Sequence, residues 1–267
     1  TLEAGAGINT LGRGDAPFDS ADGFVYDPGK ASLLLVSNGQ TSVLAPAKSV
    51  GLDGAGSIRI GTCSLEPCTN PATLYSNGSI TAATDNQFEL SDAVRFGTRH
   101  LTLAVGAINV GNAQVLTDAE GRVPVGLTLS QSVLNRLLQG DTQFGAPALE
   151  SLNLTARDSF NFFGDVSLDT LDPQTGRSKL QNLILTTPAI YGQGDAQDVA
   201  TIRTANLIWN GATQAPGAVV SDGAGTGRGT LDIQAQRIEL GYGPNPQPNG
   251  LDQNDRLALG FANVNLT

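Results

Sequence analysis

One stretch in the middle of the chain constrains the fold more than any other. Residues 149–170 have the sequence LESLNLTARDSFNFFGDVSLDT, in which apolar and polar residues alternate in three short runs. A polar corner at 157–159 and the pair Gly164-Asp165 separate the runs. A period of two predicts β-strands. Three short strands cannot bury their own apolar side, so we expect similar segments above and below this one.

Comparable strand starts recur along the chain. They lie at Ile8, Leu33, Ile58, Ile80, Leu101, Leu127, Leu152, Leu183, Leu207, Leu231 and Leu257. Their mean separation is about 25 residues, which is of the order needed if each coil of a stack holds three short strands. The pattern predicts an all-β fold, specifically a parallel β-helix. A β-sandwich with turns every 8–12 residues is the alternative.

The predicted organisation is a single β-helix segment over residues 1–267. Residues 1–50 are less regular and are expected to form a cap or side loops, whereas residues 51–267 are expected to form regular coils. Abundant Gly, Asn, Asp, Thr and Ser suit many tight turns.

One short helix is expected near residues 130–139. Ser130 is a suitable N-cap, and Gly140 stands where a helix would end. The apolar residues with helical spacing are Val133, Leu134, Leu137 and Leu138. Packing of this helix on the stack is the simpler interpretation, and a partner-binding helix is the alternative.

Charge and hydropathy restrict the partners. The formal net charge is −10, and no run of Lys or Arg occurs, which argues against nucleic acid and anionic membranes. No apolar run approaches the length of a membrane span, so no membrane insertion is expected. The sequence contains no Met, so we expect a processed product or a piece of a longer protein.

The two cysteines, Cys63 and Cys68, are close in sequence with Pro67 between them. In an exported protein this spacing predicts a small loop closed by a disulfide. Metal binding would need further ligands, and His100 is the only histidine. A redox pair would normally be spaced as CxxC, and two inert thiols are the remaining alternative.

Binding, if present, is expected in loops. Arg13, Gly14 and Asp15 form the integrin-recognition tripeptide, although three such common residues also occur together by chance. The loops at 12–24, 172–178 and 221–229 are the expected positions of binding elements, because loops of a solenoid project from one side.

Catalysis is weakly indicated. Polysaccharide cleavage needs clustered carboxylates, often with a histidine or a basic residue. Asp158, Asp165 and Asp169 lie in one expected coil, but they form no pair in the sequence, and His100 stands alone. We therefore expect a non-enzymatic protein that needs no cofactor and no metal.

Three segments resemble the filamentous haemagglutinin family of exoproteins. They cover residues 127–170, 187–212 and 237–267, including LTLSQSVLNRLLQGDTQFG and RIELGYGPNPQPNGLDQNDRLALGFANVNLT. The resemblance implies a right-handed parallel β-helix rod, export by an outer-membrane partner transporter, and a role in adhesion, biofilm formation or virulence. It implies no catalytic residues. The N-terminal secretion domain and the C-terminal toxin module of the family are not seen, which indicates an internal shaft segment.

The expected function is therefore that of a structural and adhesive shaft, secreted or held at the surface of a Gram-negative bacterium. Its expected partner is a host-cell or extracellular-matrix receptor or a glycan. A carbohydrate-active β-helix enzyme acting on acidic polysaccharide is one alternative. A self-assembling filament subunit is another, because exposed sheet edges favour end-to-end association.

Overall fold

The computed structural model describes residues 1–14, 25–48, 56–63, 70–119, 121–211, 227–241 and 256–267. Within these ranges the chain is mostly β-strand, as the alternating pattern predicts. The strands are β1 (Leu2–Glu3), β2 (Gly7–Asn9), β3 (Val25–Tyr26), β4 (Leu33–Ser37), β5 (Ser42–Val43), β6 (Ile58–Thr62), β7 (Thr73–Tyr75), β8 (Ser79–Thr84), β9 (Phe88–Leu90), β10 (Arg95–Gly97), β11 (His100–Gly111), β12 (Leu127–Ser130), β13 (Ser151–Phe163), β14 (Val166–Asp169), β15 (Asn182–Thr186), β16 (Ala189–Gln193), β17 (Val199–Asn210), β18 (Gly229–Leu240), β19 (Leu257–Leu259) and β20 (Phe261–Leu266). The helices are α1 (Ala113–Asp118) and α2 (Gln131–Gln139), with a 3₁₀ turn at Gln143–Gly145.

Fifteen of these strands form one large sheet in which strands far apart in sequence pair in parallel. The pairing defines three columns. Column 1 runs β4–β8–β11–β13–β15–β17–β18, and column 2 runs β1–β6–β9–β12–β11–β13–β16–β19. Column 3 runs β14–β17–β18–β20. The long strands β11, β13, β17 and β18 each belong to two columns, which joins the columns into one sheet.

Two smaller sheets accompany it. One has the order β10–β7–β2, and the other pairs β3 with β5, both in parallel. Among the described pairs of strands only β4 and β8 are antiparallel. The first part of the chain therefore joins column 1 in a direction opposite to that of its neighbours.

Apolar side chains at equivalent positions stack in register along column 1. The strands place these residues directly opposite one another: Val36, Ile80, Leu101, Leu152, Leu183, Leu207 and Ile238. Neighbouring strands are about 4.8 Å apart, so each side chain covers the one below it. The five middle residues of this row, from Ile80 to Leu207, are buried in the main core. A second row in column 2 consists of Phe88, Leu127, Ile108, Phe160 and Ile190.

The strand starts that were predicted to recur once per coil do not all occupy the same column. Leu101, Leu152 and Leu183 belong to one column as predicted, but Leu127 and Leu257 lie in column 2. The difference arises because a long strand fills two columns with one apolar run. A sequence count of strand starts therefore mixes positions from different columns.

At β12 the order of strands in the sheet departs from their order in the sequence. This strand follows β11 in sequence, yet it lies between β9 and β11 in column 2. Gly126 precedes it at a point where a Cβ atom would collide with the carbonyl group of Ala107. A residue without a side chain is therefore required where the two segments pass each other.

Helix α2 confirms the predicted helix, including its ends. The Ser130 hydroxyl accepts a hydrogen bond from the Val133 N–H at 3.4 Å, and Gly140 follows the last turn. All four predicted apolar residues are buried in the main core. This burial favours packing on the stack over partner binding. Helix α1, capped by Asn112, was not predicted.

Helix α2 also occupies the place of a strand beside β14. The Gln131 side-chain amide donates to the Ser167 carbonyl at 2.7 Å, and its carbonyl oxygen accepts from the Ser167 N–H at 2.9 Å. These are the two bonds that a neighbouring strand would make to Ser167. A single side chain thus satisfies both backbone groups of Ser167 at the edge of column 3.

We predict that Gln131→Ala lowers the free energy of unfolding by about 1 kcal/mol, because two hydrogen bonds to Ser167 and one to the Asn135 side chain are lost, all of them partly solvated. Gln131→Glu should also be destabilising, since a carboxylate cannot donate to the Ser167 carbonyl. Urea denaturation followed by circular dichroism measures both. Gln139→Ala, at the exposed end of the same helix, is the control, and a loss equal to that of Gln131→Ala would contradict the strand-like role.

Candidate functional site

The integrin-type tripeptide is only partly described. Arg13 is exposed, and its N–H donates to the Thr10 carbonyl at 3.1 Å. The side chain of Asn38 holds the turn by donating to the Gly14 carbonyl at 2.7 Å. Asp15 lies outside the described residues, as does most of the loop at 12–24. The recognition hypothesis therefore stays a prediction.

The cysteine loop is described at one end. Cys63 directly follows β6 and is disulfide-bonded. Cys68 lies outside the described residues, so the Cys63–Cys68 pairing stays a prediction. The 221–229 loop is likewise described only from residue 227.

Hydrogen bonds within the loop at 172–178 fix its conformation. One carboxylate oxygen of Asp172 accepts from the N–H groups of Gln174 and Thr175 at 2.9 and 3.0 Å. These bonds, that of Thr175 first, lower the pKa of Asp172. The Asp172 side chain is thus engaged within its own turn, and the loop presents no assembled site.

The three carboxylates considered for catalysis each have a structural partner. Asp158 pairs with Arg157 at 2.7 Å, and Asp169 pairs with Arg203 at 3.1 Å. Asp165 accepts from the Val199 N–H at 2.7 Å. His100 Nδ1 lies 2.7 Å from the Ser151 hydroxyl. Within the described part of the chain, no group of three or more His, Cys, Asp or Glu side chains could hold a metal ion.

A buried ionic cluster lies at the corner between columns 1 and 2. Arg157 bonds to the carboxylates of Asp85 and Asp158 and donates to the Pro46 carbonyl at 2.9 Å. The side chains of Arg157 and Asp85 are 5% and 4% exposed. Gly106 leaves room for them, because a Cβ there would lie 3.1 Å from Asp85 Oδ1. The cluster fastens the segment that contains Pro46 to the outside of the sheet.

The charges of this cluster shift the pKa values of Arg157 and of the nearby Tyr191. Burial opposes the charge of Arg157, but the bonds to Asp158 and Asp85 outweigh it and raise the pKa of Arg157. Burial, followed by the negative charge of Asp158, raises the pKa of Tyr191. From the sequence, Arg157 was predicted only as part of a polar corner, and Asp85 was not among the predicted site residues. No local pattern links two residues whose contact depends on register between distant strands.

An asparagine ladder lies on the outer side of column 2. Asn161 Nδ2 donates to Asn109 Oδ1 at 2.9 Å, and Asn109 Nδ2 donates to the Pro124 carbonyl at 2.8 Å. Tyr191 is the partner of Asn161 on the next strand. Asn161 Oδ1 and the Tyr191 hydroxyl are buried and have no hydrogen-bond partner among the residues that the structure describes. The ladder ties the loop before β12 to the sheet.

A cleft lies over β9 in the described part of the molecule. It has a volume of about 570 Å³. Its walls are Thr62, Asn86, Gln87, Phe88, Glu89, Leu90, Ser91, Val123, Pro124, Val125, Gly126 and Thr128. Glu89 pairs with Arg59 at 3.3 Å, so its charge is compensated. The cleft is lined by amide, hydroxyl and apolar groups, and it contains one carboxylate.

A second surface feature lies over β7 and β10. The Tyr75 hydroxyl donates to Asp141 Oδ2 at 2.9 Å, and the Phe144 ring contacts the Tyr75 ring edge-on, with 5.5 Å between ring centroids. Tyr75 is buried, whereas Phe144 is 76% exposed and has a φ of 57°. Burial, followed by the bond to Asp141, raises the pKa of Tyr75 to about 12. Neither Tyr75 nor Phe144 was predicted from the sequence as a site residue.

Comparison with known proteins gives no relative: no protein-family model, no curated protein and no solved structure matches the chain. The described helices include none that is both long and apolar enough to span a membrane.

We predict that Arg157→Met lowers the free energy of unfolding by about 3–5 kcal/mol, because the buried carboxylate of Asp85 loses its counter-charge. The double variant Arg157→Met/Asp85→Leu should recover part of this loss. Urea denaturation at pH 7 measures both. Arg203→Met is the control, since its pair with Asp169 is part-exposed and is expected to contribute about 0–1 kcal/mol. Equal losses for the two arginines would contradict the importance of the buried cluster.

We also predict that the free energy of unfolding decreases between about pH 10 and pH 12. The folded-state pKa of Tyr75 is raised from 10.0 to about 12, so its stabilising contribution is complete below pH 10 and is lost as pH rises through 12. The loss should reach roughly 2–3 kcal/mol at most, at about 1.4 kcal/mol per pKa unit. Urea denaturation from pH 9 to pH 12 should show a smaller decrease in Tyr75→Phe than in the unmodified protein. Equal decreases would refute this assignment.

Proposed function

We propose that this chain is a non-enzymatic structural segment of a large secreted bacterial surface protein of the filamentous haemagglutinin type. In this proposal its strands wind as a right-handed parallel β-helix. The segment acts as a shaft that holds binding elements away from the cell and supports attachment or biofilm formation.

The observation that carries the proposal is the in-register stacking of apolar side chains through successive parallel strands. Column 2 contains eight strands, which corresponds to a length of about 34 Å at about 4.8 Å per strand. A stack of this kind grows in one dimension while each layer contacts only its neighbours. This property suits a spacer better than a compact catalytic domain.

The path of the chain supports winding in one sense. Strand β13 passes from column 1 to column 2, β14 follows in column 3, and β15 returns to column 1. Strand β16 continues in column 2, and β17 passes from column 3 back to column 1. Every step from β13 to β17 has the same cyclic order, which is the order that a coil requires.

The carboxylates favour a structural role over a catalytic one. Glycoside hydrolysis commonly uses two carboxylates about 5–9.5 Å apart, one of them as an acid. The cleft over β9 contains Glu89 alone, and Asp158, Asp165 and Asp169 bind structural partners. Cleavage of acidic polysaccharide is therefore the less supported alternative.

A self-assembling filament subunit is the second candidate, and the edge formed by β18 and β20 favours it. Leu240, Val264 and Leu266 are exposed, although Val264 and Leu266 lie in register with the buried Leu231 and Ile233. A parallel strand placed beside β20 would cover these core positions. Exposed strand edges with apolar side chains promote association.

An immunoblot of the source bacterium tests the proposal. Antibody raised to this chain should detect a band several times larger than 27.5 kDa in surface or culture-supernatant fractions, with a cytoplasmic protein as the fractionation control. A strain lacking the coding region should attach less to host cells or form less biofilm. An external band near 27.5 kDa would exclude the shaft and favour the filament subunit, whereas a cytoplasmic band would exclude both.

A further inference from the structure

The segment 141–146 carries an exposed aromatic ring on a rigid support. Asp141 Oδ1 accepts from the Gln143 N–H at 2.8 Å, and its other oxygen accepts from the Tyr75 hydroxyl at 2.9 Å. At the other end, Ala146 is buried and its N–H donates to the Gln143 carbonyl at 3.0 Å. The tip with Phe144 is therefore fixed on both sides.

Folding alone does not account for phenylalanine at this tip. Phe144 is the one non-glycine residue in the described chain with a positive φ, a conformation that is unfavourable for a bulky side chain. Its side chain is 76% exposed, so little apolar surface is buried in return. Glycine would relieve the backbone strain at no cost to the core. Strained conformations of this kind concentrate at binding sites.

The contact with Tyr75 sets the orientation of the ring. The two ring planes meet at 76°, so one ring meets the other edge-on and most of the Phe144 ring remains in solvent. Residues with hydrogen-bonding side chains precede it directly in the chain. Thr142 and Gln143 are exposed, and each carboxylate oxygen of Asp141 retains a free lone pair after its one bond. Arg95 is close enough to lower the pKa of Tyr75 by its charge.

The size of this surface indicates the class of ligand. One aromatic side chain covers about 150–250 Å², which is far below the roughly 800 Å² that each partner contributes to a stable protein interface. A sugar ring fits better, because its C–H face stacks on an aromatic ring while its hydroxyls bond to carboxylate and amide groups. The net charge of −10 disfavours an acidic glycan.

We propose that Phe144, with Asp141 and Gln143 beside it, forms a binding site for a neutral glycan. This inference rests on the adhesive part of the proposed function and names its ligand class and contact residues. The strain at Phe144 is then a cost in stability that is retained because the ring contacts ligand.

The test uses the whole chain and an array of immobilised neutral oligosaccharides of glucose, galactose, mannose and N-acetylglucosamine. Heparin and fibronectin on the same array represent an acidic glycan and a protein. Phe144→Gly should weaken glycan binding at least about tenfold, while Phe144→Tyr retains it. Val25→Ala truncates another exposed apolar side chain, which is 45% exposed, and should not affect binding. Phe144→Gly should unfold at the same temperature as the unmodified protein or at a higher one.

Four results would overturn the inference: no neutral glycan is bound, Phe144→Gly binds as well as the unmodified protein, heparin or fibronectin is bound through Phe144 instead, or Phe144→Gly unfolds at a lower temperature. The last result would assign the ring to folding. These outcomes are independent of the immunoblot, so failure of the glycan site and failure of the shaft proposal can be told apart.

Discussion

Register between distant strands is the constraint on which the rest of this structure depends. In column 1, Leu101 lies between Ile80 and Leu152, and the next strands add Leu183 and Leu207. A shift of one residue in any strand would turn its apolar side chains outward. The same register brings Asn109 beside Asn161 on the outer side of the sheet. The packing of the core and the hydrogen bond between these two buried asparagines are therefore fixed together.

Polar contacts occupy the corner between columns 1 and 2. Arg157 is buried between two carboxylates, and it also bonds to the Pro46 carbonyl more than one hundred positions earlier in the chain. A buried ion pair contributes little net stability compared with apolar packing, but the loss of one partner is costly. We infer that this cluster fixes the position of the segment that contains Pro46.

The sequence predicted the elements better than their arrangement. Alternation and capping are local properties, so the strands around Leu101 and Leu152 and the helix that begins after Ser130 could be recognised directly. The insertion of β12 between β9 and β11 could not, because it depends on which strand edge is free when the segment arrives. The need for glycine at position 126 is evident only from its close contact with the Ala107 carbonyl in the structure.

The surface features were harder to predict for the same reason. Phe144 stands in an ordinary turn sequence, and only its positive φ and its exposure distinguish it. Asp85 and Arg157 are unremarkable in sequence, since a buried ion pair leaves no periodic signal. The three predicted binding loops gave less information than the strands, because only the loop at 172–178 is fully described, and Asp172 holds it in a closed turn.

The substitution of a helix for a strand beside β14 has a mechanical consequence. Columns 1 and 2 carry tension along the stack through unbroken ladders of peptide hydrogen bonds, whereas the column 3 side is interrupted where Gln131 bonds to Ser167. A load applied along the stack is therefore borne unequally. Within the described residues, columns 1 and 2 should therefore resist extension across their strands more than the sheet does at α2.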